Sequence, residues 1–565
     1  MYILGIWDGH DSGAALLEDD KVVFAANEER FTKRKLEVAF PNNSIKAALG
    51  HAGITPDEVE VVAFPTTEFA KTLSRVFPWQ KESYYKFRRR KMYKPRLESF
   101  MHYAKYAMTG VGILPLCSTV SKAAVGRELR RLGFRNYRLC SVDHHMAHAA
   151  TAAFTSGMDS SLVITVDGLG DGLSASISTF RKGTLERKHS IKARDSIGIF
   201  FEQATNIVGM RELEDEGKVM AMADYSYPFR IDENKLREFF SVNGVDIRAK
   251  YGPISQYRML DRIAWSMPRE RFSYMAQQVL EEALVGLVGN AIEKFGTRNV
   301  AMAGGVMSNI KANMKIRKIK GLDNWYIFPH MGDGGIAMGA AMYANYTENG
   351  VRGYEFKDAY LGSEYCDEDI LRCLRKEKWL RYERDADRAG HAAELISSDD
   401  YVFWFQGRSE YGPRALGNRS ILAKADSEKV KERLNLYVKQ RDWYQPFAPS
   451  MLREDAEKVL EGVRCPDRFM TMAYDVREEH SSSLKSVMHV DMTARPQILS
   501  DENKEYRRLL GRIRKSSGYG IVLNTSFNLH GMPMVNDPSD AIETMKQTKT
   551  KRMFLGEYFV ENKEI

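Results

Sequence analysis

The sequence predicts an α/β protein of at least two domains, the first of them internally duplicated. Three observations carry this reading. The chain has 565 residues, more than the ~250–300 at which a single core stops growing. An apolar strand, an Asp-Gly turn and a small-residue strand occur in that order twice, as YILGIWDGHDSGAALL at 2–17 and LVITVDGLGDGLSASI at 162–177. A polar, glycine-containing stretch, YTENGVRGYEFK at 346–357, then separates a first domain, 1–350, from a second, 355–565.

The elements follow in order. YILGIW, AALL and KVVFAANEER read as a strand meander with polar turns. SIKAALGHAGI is a helix and EVEVVAFP a strand. Residues 68–110 form an aromatic and basic insertion, densest at 84–98. Helix SKAAVGRELRRLG, strand YRLCSV and helix HHMAHAATAAF follow. The second copy of the meander leads to a long helical run at 269–295, then strand NVAMAGG, helix VMSNIKANMKI, strand NWYIFP and the small-residue helix GGIAMGAAMYANY. Beyond the boundary, VFWFQG, MTMAYDV, GIVLNTSF and FLGEYFVE read as strands. SEKVKERLNLY and a polar run at 502–516 read as helices.

Composition narrows the function. Hydrophobic residues make up 44% and charged residues 28%, as in ordinary globular protein. The net charge of +8 is spread among both signs, which suits anionic ligands without demanding nucleic acid. Five cysteines, none in a CxxC pair, disfavour a disulfide framework or a cysteine zinc site. A reducing cytoplasm fits. The N-terminus lacks a signal-peptide pattern, and no window offers the ~20 apolar residues of a membrane span.

Three glycine turns can present backbone N–H groups to phosphate: DGHDSG at 8–13, DGLGDG at 167–172 and AGGVMSN at 303–309. Together they resemble the actin-like, duplicated ribonuclease-H architecture, in which facing hairpins hold phosphates. Gly168, Gly170, Gly304, Gly305 and Asn309 are the nucleotide candidates. In DHHMAHAA, His144 and His148 are spaced i, i+4 and share a helix face, as two imidazoles on one metal require. Asp333 in HMGDGG is the candidate oxygen ligand, a donor set that suits iron.

The second domain carries the densest chemistry. GRSEYGPRALGNRSI places Arg408, Arg414 and Arg419 among glycines. VKQRDWYQPFAP puts Lys439 and Arg441 on one face if the segment is extended. HVDMTARPQ adds Arg495, and VLNTSFNLHG ends a strand in Asn524, Thr525 and Ser526. Guanidinium groups match phosphate oxygens bidentately and lysine supplies a point charge, so an oxyanion pocket is expected.

These stretches, with GHDSGAAL, NEERFTKRK and EGKVMAMADY, resemble the NodU/CmcH family of O-carbamoyltransferases over residues 9–528. The resemblance implies an actin-like, iron-holding first domain and a YrdC-like second domain. It implies carbamoyl phosphate and ATP (with magnesium) as substrates, a carbamoyl-adenylate intermediate and a hydroxylated small-molecule acceptor. It assigns His144, His148 and Asp333 to metal, His10 to the transferred carbamoyl group with Asp8 as helper, and Lys218 to the nucleotide. It assigns Lys439, Arg441, Arg495, Asn524 and Ser526 to carbamoyl phosphate, with Arg414 and Arg419 in the same motif.

Rival readings are a tRNA threonylcarbamoyl-type transferase and a non-enzymatic actin-like ATP-binding regulator. Hydrogenase maturation is disfavoured by the missing acylphosphatase-like extension and CxxC pairs. No nucleic-acid or membrane partner is expected; a homo-oligomer is compatible with the sequence.

Overall fold

The computed structural model describes residues 1–89, 113–227 and 233–565. From residue 90 onward the basic run at 84–98 lies outside these. The chain forms two compact units, Met1–Glu28 with Leu36–Phe356, and Glu29–Lys35 with Lys357–Ile565.

The first unit contains two five-stranded sheets. One is built from β1 (Tyr2–Trp7), β2 (Gly13–Glu18), β3 (Lys21–Asn27), β4 (Val59–Pro65) and β5 (Arg138–Val142), in the order β3-β2-β1-β4-β5. The hairpin pairings of β1, β2 and β3 are antiparallel, whereas β4 pairs parallel with β1 and with β5. The second sheet begins with β6 (Ser160–Gly170), β7 (Leu173–Arg181) and β8 (Thr184–Lys192). A small hairpin, β9 (Phe240–Asn243) and β10 (Asp246–Ala249), intervenes before β11 (Asn299–Ala303) and β12 (Asn324–Ile327). The sheet order is β12-β11-β6-β7-β8, with β6, β7 and β8 antiparallel and β11 parallel to β6 and β12. Order and orientation repeat those of the first sheet, so the duplication legible in the turns extends to the whole topology.

The central strands β1 and β6 are apolar on both faces, as strands covered by helices must be. Ile3, Leu4, Ile6 and Trp7 are all buried, as are Leu162, Val163, Ile164 and Val166. Helices His144–Thr155 and Ile336–Asn349 owe their close approach to missing side chains. A Cβ on Gly339 would stand 2.0 Å from the Ala147 carbonyl oxygen, and one on Gly5 would stand 1.9 Å from that of Ala337. Asp143 caps the first of these helices by accepting from the Met146 N–H at 2.9 Å.

The second unit is a mixed eight-stranded sheet. Its strands are β13 (Leu380–Arg384), β14 (Val402–Phe405), β15 (Arg419–Lys424), β16 (Ala448–Leu452), β19 (Gln497–Leu499), β20 (Ile521–Ser526), β21 (Arg552–Leu555) and β22 (Tyr558–Asn562). Their order is β13-β22-β21-β14-β15-β20-β16-β19, and a separate pair, β17 (Tyr474–Asp475) and β18 (Thr493–Ala494), lies outside it. Helices Arg388–Ser397 and Lys504–Ser517 pack apolar faces on Trp404, Leu422, Val522 and Phe554.

Three expectations need correction. Residues 29–35, read as part of a first domain 1–350, cluster with the second unit. There Arg30 donates to the Gly412 carbonyl at 2.9 Å, and Lys33 bonds Asp540. Lys439 and Arg441 are not on an extended strand: Leu434–Lys439 is a π-helical turn, and Gln440 has φ 45°. MTMAYDV contributes only two residues of strand.

Candidate active site

In the first unit, the i, i+4 pair and the two Asp-Gly elements meet. His144 and His148 Nε2 lie 3.5 and 3.4 Å from Asp333 Oδ1. His144 Nε2 is also 3.4 Å from Asp167 Oδ2. The donor atoms of these four buried residues lie within 4.8 Å of one another. His145, the third histidine of the run, turns aside to Thr165 Oγ1 at 2.8 Å.

The set fits a cation. His144 Nε2, His148 Nε2 and Asp333 Oδ1 are buried without a hydrogen-bond partner, a costly state unless something else satisfies them. Separations of 3.4–3.5 Å are those of ligands sharing one ion at about 2.1 Å. Two carboxylates and two neutral imidazoles balance a divalent charge. Burial alone would lower the pKa of His144, but Asp333 and Asp167 outweigh it and push it up to about 10, a measure of the site's negative potential. Burial and the neighbouring imidazoles hold His145 down at about 3.

Asp167 was absent from the sequence candidates. It occupies the place in the second copy that Asp8 holds in the first, which was the available signal. Its other oxygen accepts from the Gly305 N–H at 2.7 Å.

The glycines serve this cluster. A Cβ on Gly170 would stand 2.2 Å from the His144 ring, and one on Gly304, at φ 101°, would stand 2.2 Å from the Val166 carbonyl oxygen. The glycine-turn residues expected at a phosphate have these partners in the structure. The Gly305 amide is committed to Asp167, and Asn309 caps the Ile310–Arg317 helix while pairing with Gln277. Lys218 pairs with Asp215 at 3.2 Å. Gly168 alone keeps open space around it: a Cβ there would meet nothing nearer than Glu202, at 3.9 Å.

His10 joins the cluster from the first turn, with Nε2 3.4 Å from Asp333 Oδ2. Its side chain is 30% exposed, whereas that of Asp333 is 5% exposed. His10 is therefore the member open to an incoming group. Asp8 is no helper beside it. Arg75 holds Asp8 at 2.9 Å and Lys81 at 2.8 Å. Burial would raise the Asp8 pKa, but these two cations outweigh it and keep the group ionised well below the usual carboxylate range. Arg75 and Lys81 were hidden in the stretch read as an insertion.

In the second unit, Arg414, Arg441 and Arg495 lie near enough to feel one another's charge. Burial holds Arg414 and Arg441 down at about 10, and Arg441 is lowered further by Arg414. Arg495 is pushed well down by burial and by both other arginines. Arg441 donates to Thr525 Oγ1 at 2.9 Å, and Arg414 has no ion pair among the described residues. Lys439 donates to the Ser526 and Asn528 carbonyl oxygens at 2.7 and 3.1 Å and to Asn528 Oδ1 at 2.7 Å. Asn524 donates to Ser450 Oγ at 2.9 Å and keeps a buried Oδ1 without a partner.

Arg419 does not belong to this set. It is fully buried, stacks 3.6 Å from the Phe405 ring centroid, and donates to the Gln406, Gly407 and Asn418 carbonyl oxygens at 2.7–3.1 Å. Its Nη1 is spent on the loop, while its Nε is buried without a partner. Glu410, unforeseen from sequence, completes that loop by accepting from the Leu416, Asn418 and Arg419 N–H groups at 2.7–3.1 Å.

Residues 2–342 match the family described as carbamoyltransferase N-terminus, and 393–562 match carbamoyltransferase C-terminus. The Methanocaldococcus jannaschii protein MJ1058 is 35% identical over 469 residues, 78% of this chain and 76% of that one. Nodulation protein NolNO of Sinorhizobium fredii is 30% identical over 575 residues, 98% of this chain and 79% of that one. The 3'-hydroxymethylcephem-O-carbamoyltransferase of Streptomyces clavuligerus is 33% identical over 259 residues, 45% of this chain and 47% of that one. No described helix is long and apolar enough to cross a membrane. With matches over both units, the chain belongs to the carbamoyltransferase family, of the NodU/CmcH type, and is an enzyme.

Proposed function

We propose that the protein is an ATP-dependent O-carbamoyltransferase acting on a hydroxylated small molecule. The observation that carries this is the set of Arg414, Arg441 and Arg495, which feel one another's charge beside the Arg441–Thr525 contact, in a chain of this family. Three guanidinium groups crowded together lower one another's affinity for protons and invite an anion. In this reading the second unit is YrdC-like and binds carbamoyl phosphate and ATP, with Lys439, Asn524 and Ser526 at the pocket.

The chemistry is demanding because nitrogen donation makes a carbamoyl carbonyl a weak electrophile. Water releases carbamate and phosphate from carbamoyl phosphate. A carbamate oxygen then attacks the α-phosphorus of ATP and expels pyrophosphate. In the first unit the acceptor hydroxyl attacks the carbonyl carbon of the mixed anhydride, and AMP leaves. His10, partly exposed and oriented by Asp333, takes the hydroxyl proton. His144, His148, Asp167 and Asp333 would hold a divalent metal such as iron, which supplies Lewis acidity. The cephem relative's name places its carbamoyl group on oxygen, which favours a hydroxyl acceptor here. The test is mass spectrometry of candidate acceptors incubated with carbamoyl phosphate and ATP. A gain of one carbamoyl group dependent on both is expected; carbamoylation without ATP, or none with any hydroxylated acceptor, would refute the reading.

A further inference from the structure

The first unit gathers three cations around one carboxylate, an arrangement that the scheme above leaves unused. Lys71, Arg75 and Lys81 surround one carboxylate, Asp8. Arg75 and Lys81 take both its oxygens, and Arg75 spends another N–H on the Thr66 carbonyl at 2.7 Å. Lys71 is left over. Among the described residues its ammonium has no hydrogen bond and no ion pair. It lies 4.1 Å from the centroid of the Trp7 ring. A cation over an indole face is favourable, yet that contact satisfies none of the three N–H donors.

Lys71 is also aimed at the first turn. A Cβ on Gly9 would stand 2.5 Å from Nζ and 2.0 Å from the Trp7 ring. The ammonium thus lies against the backbone one residue before His10. Trp7 ties this corner to the histidine by donating from Nε1 to the His10 carbonyl at 2.7 Å. Lys71 feels Asp333 electrostatically but is not paired with it. Lys71 as a residue is half-buried.

The geometry points to Lys71 as the residue that binds a phosphate oxygen of the carbamoyl donor at the His10 turn. This rests on the carbamoyl-transfer reading but adds a residue and a ligand group to it. When the acceptor oxygen–carbon bond forms and the carbon–oxygen bond to phosphate breaks, the electron pair stays on the departing phosphate. An unpaired ammonium beside that oxygen stabilises the developing charge. Burial, with Lys81 and Arg75 adding to it against the pull of Asp8, lowers the pKa of Lys71 to about 7. An arriving phosphate restores its proton affinity, so binding and charge support each other.

The same phosphate chemistry could be carried by a nucleotide or by free phosphate. Full-length protein is acetylated with acetic anhydride near pH 7.5, alone and with AMP or inorganic phosphate, and Lys71 modification is read by peptide mass spectrometry. Protection of Lys71 by about fivefold or more is expected. Protection by AMP alone assigns the site to a nucleotide phosphate, and protection by both assigns it to the phosphate group itself. Lack of protection by either overturns the inference. The assay needs neither acceptor nor carbamoyl phosphate, so its failure is separable from failure of carbamoyl transfer. In a second arm, Lys71→Met keeps the apolar stem on Trp7 and should slow acceptor carbamoylation at least tenfold more than pyrophosphate release. Lys71→Arg should recover part of that loss. Equal transfer rates in all three proteins would also refute the proposal.

Discussion

Asp167 bridges two structural elements: its Oδ1 accepts from the Gly305 N–H at 2.7 Å while its Oδ2 lies 3.4 Å from His144 Nε2. One carboxylate near the end of β6 therefore links the glycine turn after β11 and the histidine helix. Its pKa is held far below the usual range, with burial opposed by His144 and His148. The second Asp-Gly turn thus contributes a carboxylate to the histidine–aspartate cluster.

Removing a ligand should remove the ion. His148→Ala deletes a buried nitrogen 3.4 Å from Asp333. Metal content measured by mass spectrometry should fall well below that of the wild type, and transfer should fall by at least the 10–100-fold typical of disturbing a metal's supporting residues. Full metal occupancy in the variant would remove His148 from the site.

The two arginines of the second unit should behave differently. Arg441→Ala should weaken carbamoyl phosphate dependence about ten- to a hundredfold, the worth of a charge-assisted contact of ~1.5–3 kcal/mol. Arg419→Lys should instead lower the denaturation midpoint, because lysine cannot reach the several carbonyl oxygens that Arg419 holds. Saturation kinetics together with thermal melts separate these outcomes; a change in substrate affinity without destabilisation in Arg419→Lys would return it to the pocket.

Asp8 should matter to folding more than to proton transfer. Asp8→Asn leaves Arg75 and Lys81 buried without their carboxylate, a loss of ~3–5 kcal/mol in urea unfolding. The pH dependence follows from the sign of the shift. The folded pKa is depressed, so the contribution is complete above the unfolded value of ~3.9 and is lost as pH falls toward the folded one. Acid unfolding curves of the two proteins should converge at low pH. Wild-type stability in Asp8→Asn at neutral pH would contradict this.

His10→Asn should separate the two half-reactions. Asparagine keeps hydrogen bonding but cannot accept the hydroxyl proton, so acceptor carbamoylation should fall about 10²–10⁴-fold. Pyrophosphate release, assigned to the second unit, should persist. Parallel loss of both activities, or of neither, would take His10 out of the mechanism.

The sequence by itself determined the duplicated topology, the histidine pair and the arginine-rich motifs. Each is local: a strand–turn–strand pattern, an i, i+4 spacing, or arginines among glycines state their geometry within a few residues. Tertiary structure decided what those residues do. Whether Asp8 is a base or a counter-ion depends on Arg75 and Lys81, 67 and 73 residues away. Whether Arg419 binds a ligand or folds a loop depends on which carbonyl oxygens surround it. Charge and hydrogen-bond partners act through space over a few ångströms, and separation along the chain does not encode that distance.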